Sequence, residues 1–145
     1  DFSVEGTVFA GVDLDSRDVK VTPTGGNRYR IDLPPARITS CSVGQLFKYD
    51  ESTTLLNRHR ESAREIAAYH ATADFVARAL EEGILVQAER GAEEAILKLL
   101  TSIDPALEIE IHFATSEVVF IDPTCKPRPP QGYQYFEDEG LWRPL

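Results

Sequence analysis

Leu107-Glu108-Ile109-Glu110-Ile111-His112-Phe113 is the stretch that decides the fold. Apolar and polar side chains alternate at every step. That period of two sets one face of a β-strand on a core and the other in water. The stretch follows a long Ala- and Glu-rich segment, Asn57 to Ser102. There Ala63, Ile66, His70, Ala73, Ala77, Leu80 and Ile84 recur every third or fourth residue, as on one face of an amphipathic helix. Leu85, Ala88, Ala92, Ile96 and Leu99 form a second stripe of the same kind. Gly83 weakens a helix by about 1 kcal/mol relative to Ala, so a break or bend is expected there. Ser52-Thr53-Thr54 offers capping hydroxyls at the start. Strands, then helices, then a strand predict segregated layers. We therefore expect an α+β domain, with a largely antiparallel sheet and long amphipathic helices packed on one face.

Upstream, Phe2, Val4, Val8, Ala10 and Val12 alternate with polar or small residues and predict a strand. Val19–Thr22 and Arg28–Leu33 flank Pro23-Thr24-Gly25-Gly26-Asn27. The two glycines supply the positive φ angles of a tight reversal, so a β-hairpin is expected. Pro34-Pro35 ends its second strand, because neither residue donates a ladder hydrogen bond. A further extended run is expected from Ala36 to about Tyr49. Downstream, Val118-Val119-Phe120-Ile121 is expected to pair with Leu107–Phe113 across Thr115-Ser116.

From Asp122 onward the composition changes. This tail holds five of the nine prolines, together with Tyr133, Tyr135, Phe136 and Trp142. Proline favours extended, non-helical chain. So many aromatics are not expected to stay in water: the tail either docks on its own domain or binds a partner. We expect one domain over residues 1–121, with residues 122–145 docked on it.

The net charge of −9 and pI near 4.8 argue against nucleic acid or an anionic membrane surface as a partner. The bases are interspersed with acids, as in Arg60-Glu61 and Glu89-Arg90, the pattern of a solvated helix surface. No run approaches the ~18 consecutive apolar residues of a membrane span. Met is absent and residue 1 is Asp, so an upstream signal or anchor segment is expected.

The only cysteines are Cys41 and Cys125, too few and too far apart for a zinc site. Two readings stand: free buried thiols, or one disulfide tying the tail to the sheet. The disulfide between Cys41 and Cys125 is the candidate pair. Its loop would contribute roughly 4–5 kcal/mol in the chain-entropy model.

Catalytic signatures are missing. His59 and His70 share a helix face but lie about 16 Å apart, too far to hold one ion. His70 sits on the apolar stripe and His112 on the polar face of its strand. There is no His-Glu-x-x-His, no Gly-x-Ser-x-Gly and no Gly-rich phosphate loop. Asp13-Leu14-Asp15 with Asp18 lacks the central glycine and terminal glutamate of a calcium loop. We assign no catalytic, cofactor-binding or metal residues, and no cofactor. Glu81-Glu82, Glu93-Glu94 and Glu137-Asp138-Glu139 read as solvated, with a glycosidase pair among them left open because carboxylate separation is not visible from sequence.

Gly11-Val12-Asp13-Leu14, Ile31-Asp32-Leu33-Pro34-Pro35-Ala36-Arg37-Ile38, Tyr49-Asp50, Gly83-Ile84-Leu85, Gln87-Ala88-Glu89 and the strand around Glu108 to Phe113 occur in that order. Their order and spacing resemble the domain-of-unknown-function 4230 family, over roughly residues 4–113. The resemblance implies a single bacterial domain behind an N-terminal membrane helix, and so an extracytoplasmic, anchored protein. It carries over no catalytic residues. The expected function is a non-enzymatic envelope-associated domain that works through contact with a protein partner or through self-association as a homo-oligomer. The alternative is a cell-surface hydrolase using paired carboxylates.

Overall fold

The computed structural model describes residues 4–45 and 57–145. The elements run β1 (Val4–Gly11), β2 (Lys20–Gly25), β3 (Arg28–Leu33), β4 (Arg37–Gln45), α1 (Asn57–Glu81), α2 (Ile84–Ile103), β5 (Glu108–Phe113), β6 (Tyr133–Phe136) and β7 (Leu141–Pro144), with one 3-10 turn at Pro123–Cys125. The class is α+β. Phe2, Tyr49-Asp50 and the capping residues Ser52-Thr53-Thr54 lie outside the described residues. Contacts divide the chain into two compact units. A sheet unit comprises Phe9–Thr39 and Ala79–Ile121; a tail unit comprises Asp1–Val8, Ser40–Arg78 and Asp122–Leu145.

In the sheet unit β2 and β3 form the expected antiparallel hairpin, from Lys20↔Asp32 to Gly25↔Arg28. Gly25 and Gly26 take φ of 128° and 56° in its turn, values that only glycine adopts freely. On its other edge β3 pairs with β5, in parallel, from Arg28↔Glu108 to Leu33↔Phe113. Alternation in β5 marks which residues face the core, but carries no information on strand direction. Parallel neighbours need a long crossover, and here β4 and both helices supply it. The core is a compact run of the chain: Ile31, Leu33, Ala36 and Ile38 are buried, Ile38 completely.

The expected strand at Val118–Ile121 does not form. Val118 is 78% exposed and Phe120 53% exposed, so the run has no face to bury. Only its end is used: Ile38 N–H donates to the Phe120 carbonyl at 3.1 Å, and Ile121 makes a single parallel bridge to Ile38. An apolar run of four residues marks a strand only when a free sheet edge lies beside it.

The break between helices falls where Gly83 placed it. Gly83 is left-handed, φ 80°; its N–H donates to the Leu80 carbonyl, and its own carbonyl accepts from Gln87 N–H. In α2 Leu85, Ala88, Ala92 and Ile96 are half-buried while Leu99 is exposed, and no α2 residue is fully buried.

In the tail unit α1 packs on a face different from its alanine stripe. Ala63, His70, Ala73 and Ala77 are exposed, whereas Tyr69, Thr72 and Phe75 are half-buried and Val76 is buried. The packed face is turned by about 100°, one residue position, from the stripe. Alanines carry little area, so the larger Tyr69, Phe75 and Val76 set the buried side. A Cβ on Gly6 would stand 2.6 Å from the Phe75 ring, so β1 approaches α1 there only as glycine. In the tail β6 and β7 form an antiparallel hairpin, Tyr133↔Pro144 to Phe136↔Leu141, closed by Gly140 at φ 63°.

Candidate functional site

Three of the sequence blocks converge in the sheet unit. Pro34 and Pro35 have no N–H, so Ala36 carries the first backbone donor after β3. That donor reaches Glu89 Oε1 on α2 at 3.3 Å. The next residue, Arg37, donates to Asp13 Oδ2 at 3.2 Å and lies over the Phe120 ring, 5.3 Å from its centroid. Asp13 is further occupied by the Asp15 N–H at 3.1 Å, and Asp18 by the Ser16 hydroxyl at 3.4 Å. The acidic loop is thus a turn fastened to Arg37. Among the described residues no group of three or more His, Cys, Asp or Glu is placed to hold a metal ion.

In the tail unit Cys41 and Cys125 are joined by a disulfide, with Sγ–Sγ 2.08 Å and Cα–Cα 4.9 Å. That Cα separation falls inside the range of about 4.4–6.8 Å that such a bond requires. Local chemistry presents Cys125. Asp122 caps the 3-10 turn by accepting from Thr124 N–H at 2.9 Å and from its hydroxyl at 2.7 Å. The Thr124 hydroxyl oxygen in turn accepts from Cys41 N–H at 3.3 Å. Cys125 is 2% exposed.

A second fastening lies further along the tail. The indole N–H of Trp142 donates to His70 Nε2 at 3.1 Å. Tyr69 meets Trp142 edge-on at 4.9 Å between centroids, and Tyr135 tilts against Trp142 at 5.0 Å. Edge-to-face aromatic pairs add about 0.5–1.5 kcal/mol beyond area burial. Indole nitrogen only donates, so His70 Nε2 accepts and is unprotonated in this arrangement. His70, which the sequence places on the apolar stripe, is exposed and accepts from the tail. His112 bonds Glu110 at 2.6 Å on the exposed face of β5. The His59 side chain lies outside the described residues. The alternating Tyr133-x-Tyr135 and the Glu137–Gly140 turn were signals for the β6–β7 hairpin. Nothing in the sequence paired Trp142 with His70, Arg37 with Asp13, or Ala36 with Glu89.

Among the described residues each unit carries a cleft. The sheet-unit cleft, about 460 Å³, is lined by Asp18, Lys20, Arg30, Asp32 and His112. Its central acid is tied down: Arg30 meets Asp32 at 2.9 Å. That hydrogen bond, reinforced by charge attraction, holds the Arg30 guanidinium above its ordinary value. No described charged side chain is buried, as a general acid with a raised pKa would need. The tail-unit cleft, about 510 Å³, runs between α1 (Glu65, Tyr69, Thr72) and the extended tail (Lys126, Arg128, Gln131).

A family model described as "Protein of unknown function (DUF4230)" matches residues 2–111. No curated protein and no solved structure matches the chain. All three converging blocks of the sheet unit lie inside the match; Trp142, Cys125 and the rest of the tail lie beyond it.

Proposed function

The chain belongs to the DUF4230 family of proteins of unknown function, and from that premise we propose a non-enzymatic, envelope-associated domain that works through protein–protein contact. The observation that carries the reading is α2. It is twenty residues long and amphipathic, yet no residue of it is fully buried. Leu99 and Ile103, one turn apart, are 62% and 72% exposed. Val118 and Phe120 of the same unit are exposed as well. Apolar surface left open on a small domain marks a contact surface. The occupant of that surface is a protein partner or a second copy of the chain, and the second copy is the case that can be tested on the chain alone.

The compartment rests on different support. Disulfides persist outside the cytoplasm and are rare within it. No described helix is long and apolar enough to cross a membrane. The proposed anchor is the N-terminal membrane helix that the family resemblance implies. An apolar run of spanning length in the first ~40 residues of the full-length gene is the expected finding. Its absence there removes the anchor.

Sedimentation velocity over a concentration series tests the contact. The wild-type chain is expected to associate. Leu99→Asp with Ile103→Asp is expected to return it to monomer, weakening association by roughly 100-fold or more, from about 1.5–3 kcal/mol per side chain. A wild-type mass that stays monomeric at high concentration counts against self-association.

A further inference from the structure

We propose that the tail-unit cleft binds a small zwitterion, an oxyanion joined to a primary ammonium, as in an ethanolamine phosphate group. The cleft has two chemically opposite walls. On α1, Glu65, Tyr69 and Thr72 fall at spacings of four and three residues, so they share one helix face. On the tail, Lys126 and Arg128 stand two residues apart in extended, proline-bounded chain. The charges do not meet: the ion pairs of the described residues include none with Glu65, Lys126 or Arg128. They are not held by hydrogen bonds elsewhere either, and all three side chains are exposed. Opposite charges lining one cleft of about 510 Å³ would ordinarily close on each other. Here the tail wall is fixed from its start by the Cys41–Cys125 bond, immediately before Lys126, and by the buried Pro130 after Arg128. The walls are therefore held apart with their charges unused.

A ligand carrying both charges fits that arrangement better than a simple anion. Arg128 offers a planar fork and Lys126 a point charge to an oxyanion. Glu65 accepts from an ammonium and would repel a plain phosphate. Tyr69, Thr72 and Gln131 line the same space. This site is independent of α2 and of the self-association drawn above, and it lies in the other unit.

The test is a titration of the 145-residue chain with O-phosphoethanolamine, read by calorimetry and by the fluorescence of Trp142, the sole tryptophan. Saturable binding is expected, with inorganic phosphate alone and ethanolamine alone each at least tenfold weaker. Arg128→Ala, Lys126→Glu and Glu65→Gln are each expected to weaken binding tenfold or more. Arg128→Lys is expected to retain part of it. All three positions are exposed, and unchanged circular dichroism verifies that the four variants fold. Vesicles with and without phosphatidylethanolamine identify the source. Co-sedimentation with the former alone makes the ligand a lipid headgroup; binding of only the soluble compound makes it a free metabolite. No saturable binding to either form, phosphate binding as tightly as phosphoethanolamine, or variants indistinguishable from wild type would overturn the proposal.

Discussion

The two units are held together by different physics. The sheet unit relies on a buried run of neighbours: Ile31, Leu33, Ala36 and Ile38 lie within eight residues of sequence and are all buried. β3 is paired on both edges, with β2 and with β5. The tail unit has only Val76, Cys125 and Pro130 buried among its described residues. It relies on one covalent bond and on rings packed at the surface. Polypeptide with many prolines cannot build a wide sheet, so directional fastenings replace burial. The family match covers the first kind of construction and stops before the second.

The largest way to break this contrast is to remove the bond. Cys41→Ser, or reduction, is expected to lower stability by about 4–5 kcal/mol, for a sequence separation of 84. Hydrogen exchange is expected to rise across Tyr133–Pro144 while the β3–β5 ladder stays protected. Equal loss in both units would dissolve the distinction. Ile38→Ala is the mirror experiment, expected to cost about 3 kcal/mol through the cavity it leaves. Its effect is expected in the exchange of Arg28–Leu33 and Glu108–Phe113, with Trp142 fluorescence retained at moderate urea.

The smallest effect is at the second fastening. His70→Ala removes the acceptor of the Trp142 N–H and is expected to cost about 1 kcal/mol, the worth of one such hydrogen bond. Trp142 fluorescence is expected to change while the β3–β5 ladder keeps its exchange protection. Fluorescence identical to wild type would show that the indole does not rest on His70.

The sequence was most informative where chemistry is local. Glycines fixed the β2–β3 turn and the break at Gly83, Pro34-Pro35 ended β3, and alternation located β5. It was least informative where partners are distant. Alternation in Glu108–Phe113 assigns faces but neither neighbour nor direction, so the parallel pairing with β3 was not visible. Val118–Ile121 has strand composition and no edge to join. The stripe through Ala63, Ala73 and Ala77 has helical period but too little area to choose the packed face, which Tyr69, Phe75 and Val76 decide. Fastenings such as Trp142 to His70 span 72 residues and leave no periodic trace.

The central claim is an extracytoplasmic domain whose tail is tied down by Cys41–Cys125. The most direct measurement is acid quenching of cells producing the full-length protein, alkylation of free thiols, and mass spectrometry of the peptides. The account predicts that the Cys41 and Cys125 peptides are recovered linked to each other and unalkylated. Recovery of both as alkylated free thiols would contradict it.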